Sequence, residues 1–264
     1  MVIGISSLCF VSKNFNVFMK HIVDSNIYFW EIVDDGPHFL DDNKIKNLLK
    51  ITSNTNITLS IHAPFTSVNI SASNDIVRRF SMKLYLESIE HAHKLGCKYV
   101  IFHPGLLDSF TYLFNDLNEP IIEGFYFLLS LGDLCSDYGI IPLLENLATD
   151  RSTIMSIHDF KRFFNESRNF MMALDISHAH ITGIFYDYLL NFHNRIKYLH
   201  ISGNDDRIDR HWSLHTGSQY WRSYLKKIFN EGLRCPMIIE NLSYNDALKS
   251  LYTLSFFLKT EFAS

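Results

Sequence analysis

Residues 57–103 read ITLSIHAPFTSVNISASNDIVRRFSMKLYLESIEHAHKLGCKYVIFH, a stretch that holds one complete strand–helix–strand unit. A β-branched run at 57–62 ends in His62, a helical stretch follows over 74–95, and a second run at 98–103 ends in His103. Ile76, Phe80, Leu84, Ile89 and Leu95 recur at near-helical intervals, and Gly96 stands where a C-cap glycine ends a helix. The same alternation runs through the whole chain. Strands are expected at 2–7, 27–33, 57–62, 98–103, 140–145, 170–175, 196–201 and 236–240. Helices are expected near 14–24, 42–52, 74–95, 120–138, 152–165, 180–193, 218–231 and 244–259. Eight such units with no break in composition predict an α/β fold, a closed (β/α)8 TIM barrel, as a single domain over residues 1–264. A doubly wound open sheet is the alternative.

With 47% of its 264 residues hydrophobic and 20% charged, the chain has ample apolar volume to fill a barrel and its helical layer. The formal net charge of -4 excludes an overall positive field that would draw the protein to nucleic acid or anionic membranes. Cys9, Cys97, Cys135 and Cys235 are scattered without Cys-x-x-Cys spacing, as in a reducing compartment. No run of 18 apolar residues and no leader-like segment is found, so a cytoplasmic protein is expected. The connection from Pro104 to Pro120 is long and apolar, carrying Leu106, Leu107, Phe110, Tyr112, Leu113 and Phe114, and reads as an active-face lid or as a packing flap.

The chemistry lies at the strand ends. Strand three ends in His62, strand four in His103, strand five in Glu145, and strand six in Asp175 with His178 three residues on. Strand seven runs into His200 with Asp209 and His211 in its loop, and strand eight ends in Glu240. In a barrel all these ends converge on one face, where active sites of this architecture are built. Each histidine alone could merely cap a loop. Buried carboxylates at Glu145, Asp175 and Glu240, however, need cations or hydrogen-bond donors, and the neighbouring strand ends supply histidines, which ligate metals when neutral. A divalent-metal centre follows, with zinc the best match to mixed nitrogen and oxygen donors and manganese or cobalt as alternatives.

The ordered series His62-Ala-Pro-Phe65, His103-Pro-Gly105, Glu145-Asn146, Asp175-Ile-Ser-His178, His200-Ile-Ser202, Asp209-Arg-His211 and Glu240-Asn241 resembles the xylose-isomerase-like barrels. That superfamily includes endonuclease IV and many sugar isomerases and epimerases. The resemblance spans about residues 2 to 260. By the endonuclease IV pattern it implies up to three ions. His62, His103 and Glu145 would hold one; Glu145, Asp175, His200 and Glu240 a second; and His178, Asp209 and His211 a third. The isomerases imply one ion on the four-residue set, with Glu145 and Glu240 exchanging protons beside a carbonyl. The other five donors favour the multinuclear, phosphoester-cleaving alternative over the isomerase; a barrel that keeps its metals only as structural ties is the non-enzymatic rival.

Further residues extend this reading. Arg210, beside the strand-seven loop, is placed to meet a phosphate, whereas Arg78, Arg79 and Lys83 read as a solvated helix face. Phe65, Trp212 and Trp221 could wall the mouth or simply pack. Asp34, Asp35, Asp41 and Asp42 follow strand two, where four carboxylates beside a duplex backbone would repel it. The expected partner is thus a small phosphorylated or sugar substrate, with an abasic site in DNA as the disfavoured option.

Overall fold

In the computed structural model, which describes residues 2–114 and 117–262, eight parallel strands close into one barrel in chain order. They are β1 (Ile3–Ser6), β2 (Phe29–Val33), β3 (Thr58–His62), β4 (Tyr99–Phe102), β5 (Ile141–Glu145), β6 (Met171–Asp175), β7 (Ile196–Ile201) and β8 (Met237–Ile239), with β8 paired to β1. The helices are α1 (Phe15–Asp24), α2 (Asp42–Thr52), α3 (Asp75–Leu95), α4 (Ser109–Leu113), α5 (Glu119–Asp137), α6 (Ile157–Glu166), α7 (Ile176–Ile181), α8 (Phe185–Phe192), α9 (Tyr220–Asn230) and α10 (Tyr244–Phe262). This is the expected (β/α)8 TIM barrel, and each expected strand is found within a residue or two of its place.

Strand parity divides the core in two, because successive side chains point to opposite sides of the sheet. Residues such as Trp30, Ile32, Ile61, Val100, Phe102, Leu144, Leu174, Leu199 and Ile239 face outward into the large cluster shared with the helices. Phe29, Ile101, Leu143, Ala173, Tyr198 and Ile238 form a separate buried cluster that fills the barrel axis. Two residues further along each of these strands stand Glu31, His103, Glu145, Asp175, His200 and Glu240, so the period that fills the axis also aims this layer at the mouth. Gly4 belongs to the same packing. A Cβ there would come within 2.6 Å of Ile238 Cδ1, so only glycine fits beside the plug.

Three local expectations are corrected. In α3 the buried stripe is Arg78, Ser81, Tyr85, Ser88, Ile89, His91, Ala92 and Leu95, while Ile76 and Phe80 face solvent. Arg78 is therefore not a solvated residue: it donates to Ala72 O and pairs with Asp75 and Glu123, which satisfies the buried guanidinium. The stretch 180–193 is two helices, because Gly183 (φ 73°) takes the left-handed conformation that stops α7 before α8 begins. The helix expected from residue 152 starts at Ile157, where Ser156 and Asp159 form a reciprocal capping box. Part of the long β4–α5 connection is tied down. Leu107 N donates to Arg151 O at 2.7 Å and Leu106 bridges to Ser152, whereas Phe110, Leu113 and Phe114 of α4 and its end are exposed.

Candidate metal centre

Glu145, at the end of β5 and almost fully buried, is the hub of the mouth. Its Oε2 lies 3.2 Å from His62 Nε2 and 3.1 Å from His103 Nε2, and its Oε1 lies 3.0 Å from His200 Nδ1. His200 Nδ1 is also 3.6 Å from Glu240 Oε2. Three sets of donor atoms each fall within 4.8 Å of one another: His62, His103 and Glu145; Glu145, Asp175, His200 and Glu240; and His62, His200 and Glu240. A further trio is strung along one carboxylate oxygen, Asp209 Oδ2, at 3.0 Å from His178 Nε2 and 2.8 Å from His211 Nε2. All nine residues therefore gather at one end of the barrel.

The asparagines after the two glutamates hold neighbouring segments in register. Asn146 Nδ2 donates to Asp175 O at 3.0 Å and Asn146 Oδ1 accepts from Asp175 N at 2.9 Å, while Asn146 O accepts from His178 Nδ1 at 2.8 Å. Asn241 Nδ2 donates to the carbonyls of His211 and Trp212. The β7–α9 loop folds back through an antiparallel bridge between Gly203 and Trp212, and a Cβ at Gly203 would sit 2.6 Å from Ser213 O. That fold brings Asp209 and His211 over the mouth. His211 is held there at φ 48°, a conformation uncommon for a residue with a Cβ.

Glu31 belongs to this centre and is missed by a reading that inspects only strand ends. It is fully buried in the middle of β2, and its Oε2 accepts from His200 Nε2 at 3.0 Å and from Tyr198 OH at 2.9 Å. Ser60 Oγ completes the chain, 2.7 Å from Tyr198 OH. With Nε2–H given to Glu31, His200 Nδ1 is the nitrogen that would face a metal beside Glu145 and Glu240 once it is deprotonated. The available signal was an acid between Trp30 and Ile32 in an otherwise apolar strand.

Charge is unevenly shared. Burial opposes ionisation of Glu145, but the imidazoles of His200 and His103 outweigh it and hold the carboxyl well below its ordinary range. Glu240 goes the other way: burial, reinforced by the Glu145 and Glu31 charges and only partly offset by His200, pushes it up to about 7. Asp175 is also raised, by burial and then by Glu145 and Asp209. Against the cost of burial, Glu145 draws His62 up to about 9, and Asp209 draws His211 up to about 9. Buried oxygens Asp175 Oδ2, Asp209 Oδ1 and Glu31 Oε1 have no hydrogen-bond partner among the described residues. Two of the three sit on residues expected to ligate.

A cavity of about 400 Å³ opens directly on this cluster, lined by His62, His103, Glu145, His178, Asp209, His211 and Glu240 together with apolar loop residues and Thr149. Phe65 is part of its wall, its ring 4.9 Å from His62 and 5.2 Å from His103. Other expected residues stand elsewhere. Arg210 is turned to Asp205 at 2.9 Å and over the Trp212 ring, outside the cavity lining. Trp221 is fully buried in α9 against Phe257, so it walls no mouth.

The acidic stretch after β2 is also corrected. Asp34 is fully buried and accepts from Ser88 Oγ, His91 Nδ1 and Leu40 N, and Asp35 accepts from the backbone of Phe65 and Thr66. Asp41 caps α2 and pairs with Lys44, leaving Asp42 the most exposed of the four. Asp34 and Asp35 are thus buried structural ties, while Asp41 and Asp42 stay exposed at the start of α2.

A family model described as xylose isomerase-like TIM barrel matches residues 20–255. The uncharacterized Methanocaldococcus jannaschii protein MJ1311 is 28% identical over 270 residues, covering 98% of this chain and 90% of its own. A probable endonuclease 4 of Aquifex aeolicus is 24% identical over 173 residues, covering 63% of this chain and 56% of its own. The crystal structure of a D-tagatose 3-epimerase-like protein superposes with a TM-score of 0.88 at 27% identity, over 98% of each chain. Among the described residues no helix is long and apolar enough to cross a membrane.

Proposed function

This chain belongs to the xylose isomerase-like TIM-barrel family, and from that premise we propose that it is a divalent-metal-dependent hydrolase of small phosphoesters. One observation carries the reading: five donors beyond the four an isomerase needs, His62, His103, His178, Asp209 and His211, line the same cavity. His62, His103 and Glu145 would hold one ion, Glu145, Asp175, His200 and Glu240 a second, and His178, Asp209 and His211 a third. The partnerless oxygens of Asp175 and Asp209 fit that assignment, since a buried carboxylate oxygen without a donor is costly. Mixed imidazole and carboxylate donors suit zinc, with manganese or cobalt also compatible. When bound, such ions neutralise phosphoryl oxygens and lower the pKa of an attacking water.

The side chains divide the remaining work. Glu145, held low, is the shared hub, Glu31 orients His200, and Glu240, raised to about 7 while no ion is bound, would give up that proton in order to ligate. A second reading, a sugar or sugar-phosphate isomerase or epimerase, draws on the same two glutamates, which share one donor set and both line the cavity. The likeness to the epimerase-like structure favours it too.

The test starts from protein purified without chelator. Elemental analysis is expected to find at least two divalent ions per chain, and the protein is expected to cleave an aryl phosphoester. An abasic-site duplex and ketose and aldose sugars in deuterated water are assayed in parallel. One ion per chain with deuterium appearing beside a sugar carbonyl, and no phosphoester cleaved, would replace the hydrolase by the isomerase. Glu31→Gln keeps size and removes the charge that fixes His200. It is expected to weaken metal affinity by about 10–100-fold in a chelator competition while the far-ultraviolet circular dichroism is unchanged. Wild-type affinity in that variant would show that Glu31 does not position His200 for a metal.

A further inference from the structure

The cavity wall beyond the donors is apolar. Leu8 after β1, Phe65 after β3, Leu106 after β4, Leu147 after β5 and Leu242 after β8 surround the cluster, so five separate strand–helix connections each contribute a hydrocarbon side chain. Apart from the metal-seeking residues, Thr149 supplies the one polar side chain of the lining, and no lysine or arginine lines the cavity among the described residues.

This combination selects among substrates. A polyhydroxylated sugar seated here would find no partner for a hydroxyl pressed against Leu8, Leu106 or Leu147, and each buried unpaired hydroxyl lowers affinity by about tenfold or more. A phosphate remote from the cluster would meet no cation. An oxyanion on the cluster, joined to a hydrocarbon body against the leucines, satisfies both halves of the cavity. Phe65 makes the junction abrupt, because its ring touches the donors His62 and His103 directly.

We propose that the substrate is amphiphilic: a phosphoester whose oxyanion meets the donor cluster and whose ester group is an aromatic or aliphatic body lying against Leu8, Phe65, Leu106, Leu147 and Leu242. This rests on the phosphoester reading for the nature of the anion, while the apolar body follows from the wall alone.

The experiment separates the two. Metal-loaded protein is titrated calorimetrically with phenylphosphonate against methylphosphonate, and with benzohydroxamate against acetohydroxamate, a pair that binds metal without resembling a phosphoester. The aryl member of each pair is expected to bind at least about tenfold more tightly, as burial of a ring against hydrocarbon requires. Leu242→Ser, at a largely exposed position that tolerates a polar residue, and Leu106→Ser are each expected to cut that preference by about threefold. Aryl preference among hydroxamates with neither phosphonate bound would keep the apolar body and overturn the phosphoester. Equal binding within the pairs, or no binding by any probe, would overturn the apolar body itself, even if phosphoesters are cleaved.

Discussion

Glu145→Gln is expected to reduce turnover by at least about a hundredfold and to remove at least one bound ion per chain, with the barrel intact. The size of the effect follows from the contacts. One carboxylate stands within 3.2 Å of His62, 3.1 Å of His103 and 3.0 Å of His200, so two of the three tight donor sets lose their common member at once. An amide of the same shape carries no charge, and its NH2 would point a donor at nitrogens that must stay free for a metal. Surface contacts are untouched, since Glu145 is buried at the strand end and the outward layer of β5 is unchanged. Activity and metal content are measured on the same preparation. A Gln variant that kept its full complement of ions and most of its turnover would remove Glu145 from any mechanism argued from this site.

Much of this was legible in the sequence because a barrel strand obeys a two-residue period. His62, His103, Glu145, Asp175, His200 and Glu240 all fall on the axis-facing parity and at the C-terminal end of their strands, where the sequence leaves them little choice of direction. The same period also marks Glu31, two residues past Phe29, but it lies inside β2 and not at the strand's end. Other errors come from partners far away in sequence. Nothing near Asp34 announces that Ser88 and His91 will take up its carboxylate, so a solvated acid and a buried tie look alike. The buried stripe of α3 was misjudged for a related reason. Its packing partners accept Arg78, Ser81 and Ser88 because those groups find hydrogen bonds there, while the apolar Ile76 and Phe80 are left outside.

Removing the metals is expected to lower the melting temperature, and the increment is expected to grow with pH. In the metal-free protein protons stand in for cations among the carboxylates: His62 and His211 are drawn up to about 9 and Glu240 up to about 7. All three folded-state values lie above the unfolded ones, so their contribution is fully present at low pH and is lost as pH rises through about 7 for Glu240 and about 9 for the histidines. Glu145, held low, is ionised in both states throughout this window and adds no slope. The metal-free protein should therefore become less stable from pH 6 to pH 9. Metal ions need the same donors deprotonated, so their binding strengthens over the same interval. At free metal about a thousandfold above its dissociation constant, linkage adds roughly 4 kcal/mol, or about 10 °C for a chain of this length. Thermal scans at pH 6 and pH 8.5, each with chelator and with added zinc, measure both trends. A metal-free melting temperature that climbs across that range, or a zinc increment that shrinks, would mean that the histidines and Glu240 do not exchange protons for metal at this site.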